Sequence, residues 1–138
     1  VIFLTGSNPG DRAISKENIS KGVLVLNEPD ASVRDALNIL LEGEGWTVDN
    51  VYDCPALKKA VEHDGVVAVI TESSLPDCTP DEILDHCSER DLPVIFTGHD
   101  LSLQGAVDLI RQGAIDFLDK PFPQSRLLEL LDRLNKGL

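Results

Sequence analysis

Five short apolar runs punctuate this chain, and the polar residues at their ends are the ones equipped for chemistry. Glu28 and Asp30 follow the first run, Val23–Asn27, and Glu72 follows the third, Val66–Thr71. Thr97 and Gly98 stand at the end of the fourth, Pro93–Thr97, and Lys120 and Pro121 follow the fifth, Ile115–Leu118. Carboxylates and an ammonium gathered at one edge could hold a cation or an anion, or pair with one another in charge-assisted hydrogen bonds. His63, His86 and His99, with Cys54, Cys78 and Cys87, are the other groups suited to metal or redox chemistry. Their spacing matches no recognised zinc pattern, and an odd, widely spaced cysteine count predicts no disulfide framework.

The elements that must bring these ends together are legible from periodicity. Between the runs, apolar residues recur at helical spacing. Ser32–Glu44 carries Val33, Ala36, Leu37, Leu40 and Leu41, with Gly43 and Gly45 as stop signals. Thr47–Val51 reads as the second strand, and Pro55–His63 as a short helix capped by Asp53. Val66–Thr71 is apolar on both faces, as in a central strand covered on two sides. Thr79-Pro80-Asp81-Glu82 is a helix start: the hydroxyl caps, proline suits the first turn, and acids suit the positive end. That helix is expected to reach about Glu89. Leu103–Gln112 is a helix ended by Gly113 in a left-handed cap. Gln124–Asn135 is the last, with Leu127, Leu128, Leu130, Leu131 and Leu134 directed inward and Trp46 packing beside the first helix.

Strand and helix thus alternate five times, which predicts an α/β domain with a parallel sheet and helices on both faces. In such sheets ligands sit at the carboxyl ends of the strands, near the switch in strand order. That rule selects Asn27–Asp30, Thr71–Leu75, Thr97–Asp100 and Asp119–Phe122 for inspection. Residues 1–22 stand apart and read as an N-terminal extension or linker with one extra strand at Val1–Leu4; residues 23–138 read as the domain.

Composition narrows the function. The chain has 138 residues, enough for one ordinary domain. Lys+Arg number 12 against 24 Asp+Glu, a net charge of −12. That balance argues against nucleic acid as a partner, because affinity for it rests on clustered cations. No stretch approaches the roughly 20 apolar residues of a membrane span. Val1–Leu4 is too short and lacks the basic flank of a signal peptide. The cysteine usage fits a reducing cytoplasm. The chain has no Met, even at position 1, so it reads as a processed or trimmed piece.

The strand ends, taken together, resemble the receiver domain of bacterial two-component response regulators. The resemblance is carried by Leu92-Pro-Val-Ile-Phe-Thr-Gly-His-Asp100 followed by Gly113-Ala-Ile-Asp-Phe-Leu-Asp-Lys-Pro-Phe122. Val33-Arg-Asp-Ala-Leu37 leading into Gly45-Trp-Thr-Val48, and Ser74-Leu-Pro-Asp77, add to it. It covers about residues 22–138. It implies a flavodoxin-like, doubly wound five-stranded sheet of strand order 2-1-3-4-5. It also implies a phosphorelay device: an aspartate at the third strand is phosphorylated, acids after the first strand hold Mg2+, and a lysine after the fifth pairs with the phosphate. A Thr or Ser after the fourth strand hydrogen-bonds the phosphate, and an aromatic on the fifth strand follows that movement. On this pattern Lys120 and Pro121 are intact, with the bond between them cis, and Phe117 falls at the switch aromatic.

The sequence departs from that pattern at its reactive end. The acceptor position is Glu72, one methylene longer than Asp, and in-line transfer tolerates little displacement. The acid pair falls on Glu28 and Pro29, with Asp30 adjacent, so at least one hard carboxylate is missing. The hydroxyl position falls on Gly98, with Thr97 one residue early and, by strand alternation, facing the other way.

These departures read as a pseudo-receiver: not an enzyme, with no catalytic residue and no cofactor, its Mg2+ binding lost or weak. Glu72 is expected to contact Lys120 in place of phosphate, either as a simple structural partner or as a mimic of the acyl phosphate. Glu28 and Asp30 also suit the role of loop acids at a helix start. Function is then expected through a protein partner or an attached output or kinase domain, by the face of the fourth helix, fifth strand and fifth helix; a homodimer is within this reading. Two alternatives stand. One is an atypical receiver that is still phosphorylated. The other is a nucleotide-binding α/β module or dehydrogenase-like fragment, suggested by Thr5-Gly-Ser-Asn-Pro-Gly10 and an acid about twenty residues on.

Overall fold

The computed structural model describes residues 20–99 and 101–136. The strands are β1 (Val23–Asn27), β2 (Thr47–Asn50), β3 (Val66–Glu72), β4 (Val94–Gly98) and β5 (Asp116–Asp119). The helices are α1 (Ala31–Gly43), α2 (Cys54–Ala60), α3 (Pro80–Ser88), α4 (Leu103–Arg111) and α5 (Gln124–Asn135). All four strand pairings are parallel, and the order across the sheet is β2-β1-β3-β4-β5. This is the expected doubly wound sheet of order 2-1-3-4-5. The expected extra strand at Val1–Leu4 and the Gly-rich turn after it lie outside the described residues.

Strand alternation splits the core into two layers. Leu24, Leu26, Ala68, Ile70 and Ile95 face α1 and α5, where Leu37, Leu41, Leu127, Leu130, Leu131 and Trp46 meet them. Val25, Val69, Val94 and Phe96 face the other way, onto Leu57, Ile83, Leu84 and Leu109 of α2, α3 and α4. β1, β3 and β4 are therefore apolar on both faces because both faces are covered. Leu128, expected inside, is only half-buried, since its position on α5 faces away from that layer.

The helix signals act as expected. Asp53 accepts from the Ala56 amide, and Thr79 with Glu82 forms a complete capping box. The Glu82 carboxyl is held below its ordinary range by the Thr79 backbone N–H, and further by the Thr79 hydroxyl. Gly45, with φ +97°, takes the chain from α1 into β2 through a left-handed turn that only glycine adopts cheaply. The boundaries shift by a few residues, most at α2, which ends at Ala60 rather than His63.

One expectation is corrected. Cys54 and Cys78 are joined as a disulfide, with their Cα atoms 6.0 Å apart. Their separation of 24 residues hides the pairing in the sequence. A parallel sheet delivers both the chain following β2 and the chain following β3 to its carboxyl edge, and there they meet. Cys87 is free and buried, and burial pushes its thiol up to about 11.

Candidate functional site at the carboxyl edge of the sheet

The residues selected by the strand-end rule converge at one edge. β1 ends beside β3, with Asn27 opposite Thr71. β3 ends beside β4, with Glu72 opposite Thr97, and β4 beside β5, with Gly98 opposite Asp119. Glu28, Glu72 and Lys120 are each the residue that ends or follows its strand. The parallel register therefore brings them together although 92 and 48 positions separate the first two from Lys120 (120 − 28 and 120 − 72).

The Lys120 ammonium sits between the two carboxylates. Its Nζ lies 2.5 Å from Glu28 Oε1 and 2.8 Å from Glu72 Oε1. The lysine side chain is only 7% exposed, and the glutamates are 2% and 7% exposed. The remaining oxygens are met by backbone amides: the Asp30 N–H donates to Glu28 Oε2 at 3.0 Å, and the Ser73 N–H to Glu72 Oε2 at 3.1 Å. The contact to Glu28 Oε1 is an ion pair whose angles fall short of a hydrogen bond, and the neighbouring Asn27 Nδ2 is buried with no partner among the described residues. Burial alone would lower the Lys120 pKa. The close ion pair with Glu28, and the hydrogen bond and charge of Glu72, outweigh it and hold the ammonium above the ordinary lysine range.

Gly98 explains how the longer glutamate fits. A Cβ at position 98 would lie 2.9 Å from Glu72 Oε2, 2.6 Å from Ser73 Oγ and 3.3 Å from the Phe117 ring. The Glu72 carboxylate thus occupies space that any side chain at 98 would need. Phe117 is half-buried, its ring turned toward Gly98 and packed on the α2–α4 layer. Thr97 is 2% exposed and, by alternation, on the opposite side of β4 from Phe96. Its carbonyl accepts from the Ser73 N–H at 2.8 Å. The bond between Lys120 and Pro121 is cis.

Asp30 is placed elsewhere. It is exposed and is the N-cap of α1, its carboxylate accepting from the Ser32 and Val33 amides. Arg34 reinforces this turn by donating to the Glu28 carbonyl at 2.9 Å. Glu28 and Glu72 are thus engaged with Lys120 and Asp30 with a helix cap, and the side chain of Pro29 carries no oxygen. Among the described residues no three His, Cys, Asp or Glu side chains are grouped to hold a metal ion. His86 is held between α2 and α3 instead, its Nε2 3.0 Å from the Lys58 carbonyl.

One participant escaped sequence reasoning, as did the use made of another. Ser73 matters through its backbone amide, which no side-chain pattern announces. Gly98 was visible as a missing hydroxyl, but its use as space for Glu72 depends on the neighbouring strand.

Comparison with known proteins accords with this geometry. The family model described as the response regulator receiver domain matches residues 23–132. The chain is 32% identical over 117 residues to the transcriptional regulatory protein FixJ of Bradyrhizobium diazoefficiens, covering 82% of this chain and 56% of that protein. It is 37% identical over 114 residues to the C4-dicarboxylate transport transcriptional regulatory protein DctD of Pseudomonas aeruginosa, covering 80% of this chain and 24% of that one. The chain thus spans about half or less of these relatives. Among solved structures, full-length FixJ from B. japonicum superposes with a TM-score of 0.75 at 27% identity, covering 85% of this chain and 59% of that one. The signal receiver domain of a putative Luxo repressor protein from Vibrio parahaemolyticus gives 0.76 at 26% identity, covering 83% and 90%. With the strand order and a family model that spans most of its length, this chain belongs to the response regulator receiver domains of two-component signalling.

Proposed function

We propose that the chain is a pseudo-receiver: it is not phosphorylated by the usual route, and it acts by binding protein. The observation that carries this reading is Lys120 held between Glu28 and Glu72. In this reading the lysine that would otherwise meet a phosphoryl group is already neutralised, and Glu72 is the wrong length for in-line attack. Binding of Mg2+ is lost or weak, because Pro29 and the engaged Glu28 leave too few hard oxygen donors. Gly98 supports the same conclusion, since a hydroxyl-bearing side chain there would collide with Glu72.

The partner is a protein, or an output or kinase domain on the same polypeptide, engaging the face of α4, β5 and α5. Leu103, Ile110 and Ile115 on α4 and just before β5 are 82%, 46% and 41% exposed, an apolar set that a partner would cover. A second copy of the chain could dock on the same face. The net charge of −12 disfavours nucleic acid as this domain's own ligand. None of the described helices is long and apolar enough to cross a membrane, and the proposed setting is the cytoplasm.

The test is incubation with acetyl phosphate and Mg2+, read by intact mass with peptide mapping. No added phosphoryl group is expected. A stable phosphoryl adduct on Glu72, or on an aspartate of this edge, would overturn the proposal in favour of an atypical but working receiver.

A further inference from the structure

Away from the Lys120 pocket, the segment between β3 and α3, residues 73–79, is fastened at both ends. At its start the Ser73 N–H donates to the Thr97 carbonyl and to Glu72 Oε2. At its far end the Asp77 carboxylate accepts from the Cys54 amide at 2.7 Å, and the next residue, Cys78, is bonded to Cys54. The same short stretch therefore touches Glu72 at one end and carries a sulfur pair at the other.

We propose that Cys54 and Cys78 form a reversible dithiol–disulfide pair that controls how firmly the β3–α3 segment is held, with a low-molecular-weight disulfide of the glutathione class as oxidant. Three observations carry this. The Cα separation of 6.0 Å lies within the range a disulfide spans without backbone movement. The hydrogen bond from the Cys54 amide to Asp77 holds the two cysteines as neighbours independently of the sulfur bond, so the reduced pair is poised to close. Cys54 and Cys78 are 4% and 7% exposed against the apolar α2–α4 layer, an environment that also accepts neutral thiols. In a reducing compartment such pairs are characteristically transient and redox-sensing.

The exchange balances. One protein thiolate attacks a sulfur of the small disulfide, forming a mixed disulfide and expelling a small thiolate, which takes up the proton the protein thiol lost. The second protein thiol, deprotonated in turn, attacks the protein sulfur of that mixed disulfide. The Cys54–Cys78 bond forms, and a second small thiol leaves. Two electrons and two protons pass from the protein to the oxidant. Cys87 is a spectator: it is unpaired where the other two are joined, and its raised pKa leaves little thiolate at neutral pH.

The experiment equilibrates the full chain with reduced and oxidised glutathione at graded ratios. Intact mass, peptide mapping, amide hydrogen exchange and thermal unfolding are read at each ratio. Expected is loss of the mass of two hydrogens under oxidising ratios, a Cys54–Cys78 cross-linked peptide that native-state dithiothreitol removes, and one remaining free thiol. Exchange within residues 73–79 should slow at least about tenfold on oxidation, and Tm should rise by about 10 °C as the bond closes its loop. Cys78→Ser should abolish the response; if that variant fails to fold, the oxidised and reduced forms of the native sequence still provide the comparison. Glutathione adducts without the cross-link, a link through Cys87, a bond that native-state reductant cannot remove, or unchanged exchange in residues 73–79 would each overturn the proposal. None of these readouts involves phosphate, so they stand or fall separately from the pseudo-receiver reading.

Discussion

Replacing Lys120 with Ala isolates the physics of the pocket. The substitution leaves two carboxylates, 2% and 7% exposed, facing each other with no cation between them. Breaking a buried pair by removing one partner costs about 3–5 kcal/mol, because an uncompensated charge stays buried. For a domain of this length that is a fall in Tm of roughly 10–20 °C. Glu72→Gln is the informative control. The triad carries one ammonium and two carboxylates, a formal excess of one negative charge, and this change removes the excess while Glu28 still faces Lys120. Its cost should stay below about 1.5 kcal/mol, the scale of a single neutral hydrogen bond. Urea unfolding of the three proteins at neutral pH is the assay. A Lys120→Ala cost under about 1 kcal/mol at neutral pH, the value for exposed pairs, would refute the account of a buried triad.

Two further outcomes follow from the same geometry. Gly98→Thr should destabilise the chain by about 1–3 kcal/mol through overpacking against Glu72 and Ser73, and pairing it with Glu72→Asp should recover at least half of that loss in urea melts; strict additivity would show that the two positions do not share space. The Lys120 ammonium is held above its ordinary range when folded. Its contribution to stability is therefore complete below the unfolded lysine value of about 10.4 and is lost as pH rises through the higher folded value. Alkaline melts should show a loss above that pH that Lys120→Ala lacks.

The comparison of sequence with structure divides along the length scale of each signal. Local signals were legible: the Thr79 cap, the Asp53 cap, the Gly45 turn and the alternating apolar runs all formed where the chain announced them. Helix ends drifted, as at α2, because the last turn is decided by packing as much as by propensity. The pocket was half legible. Residues 28, 72 and 120 were selected because parallel strands expose their carboxyl ends together. Which acid faced inward was a separate matter: Asp30 caps the α1 amides, and Glu28 meets Lys120. The cysteine pairing was illegible, since spacing carries no record of which loops share an edge.

Order of strands and helices, the layering of apolar faces and the strand-end positions of the charged residues are properties of period and spacing, and the sequence determined them by itself. Contact across strands was decided only by the tertiary structure. The bond between residues 54 and 78, the space that Gly98 yields to Glu72 and the seat of one lysine between two acids each join side chains from different strands or loops. Their energies depend on distances of a few ångströms and on exclusion of water, and neither quantity exists until the sheet has closed its register.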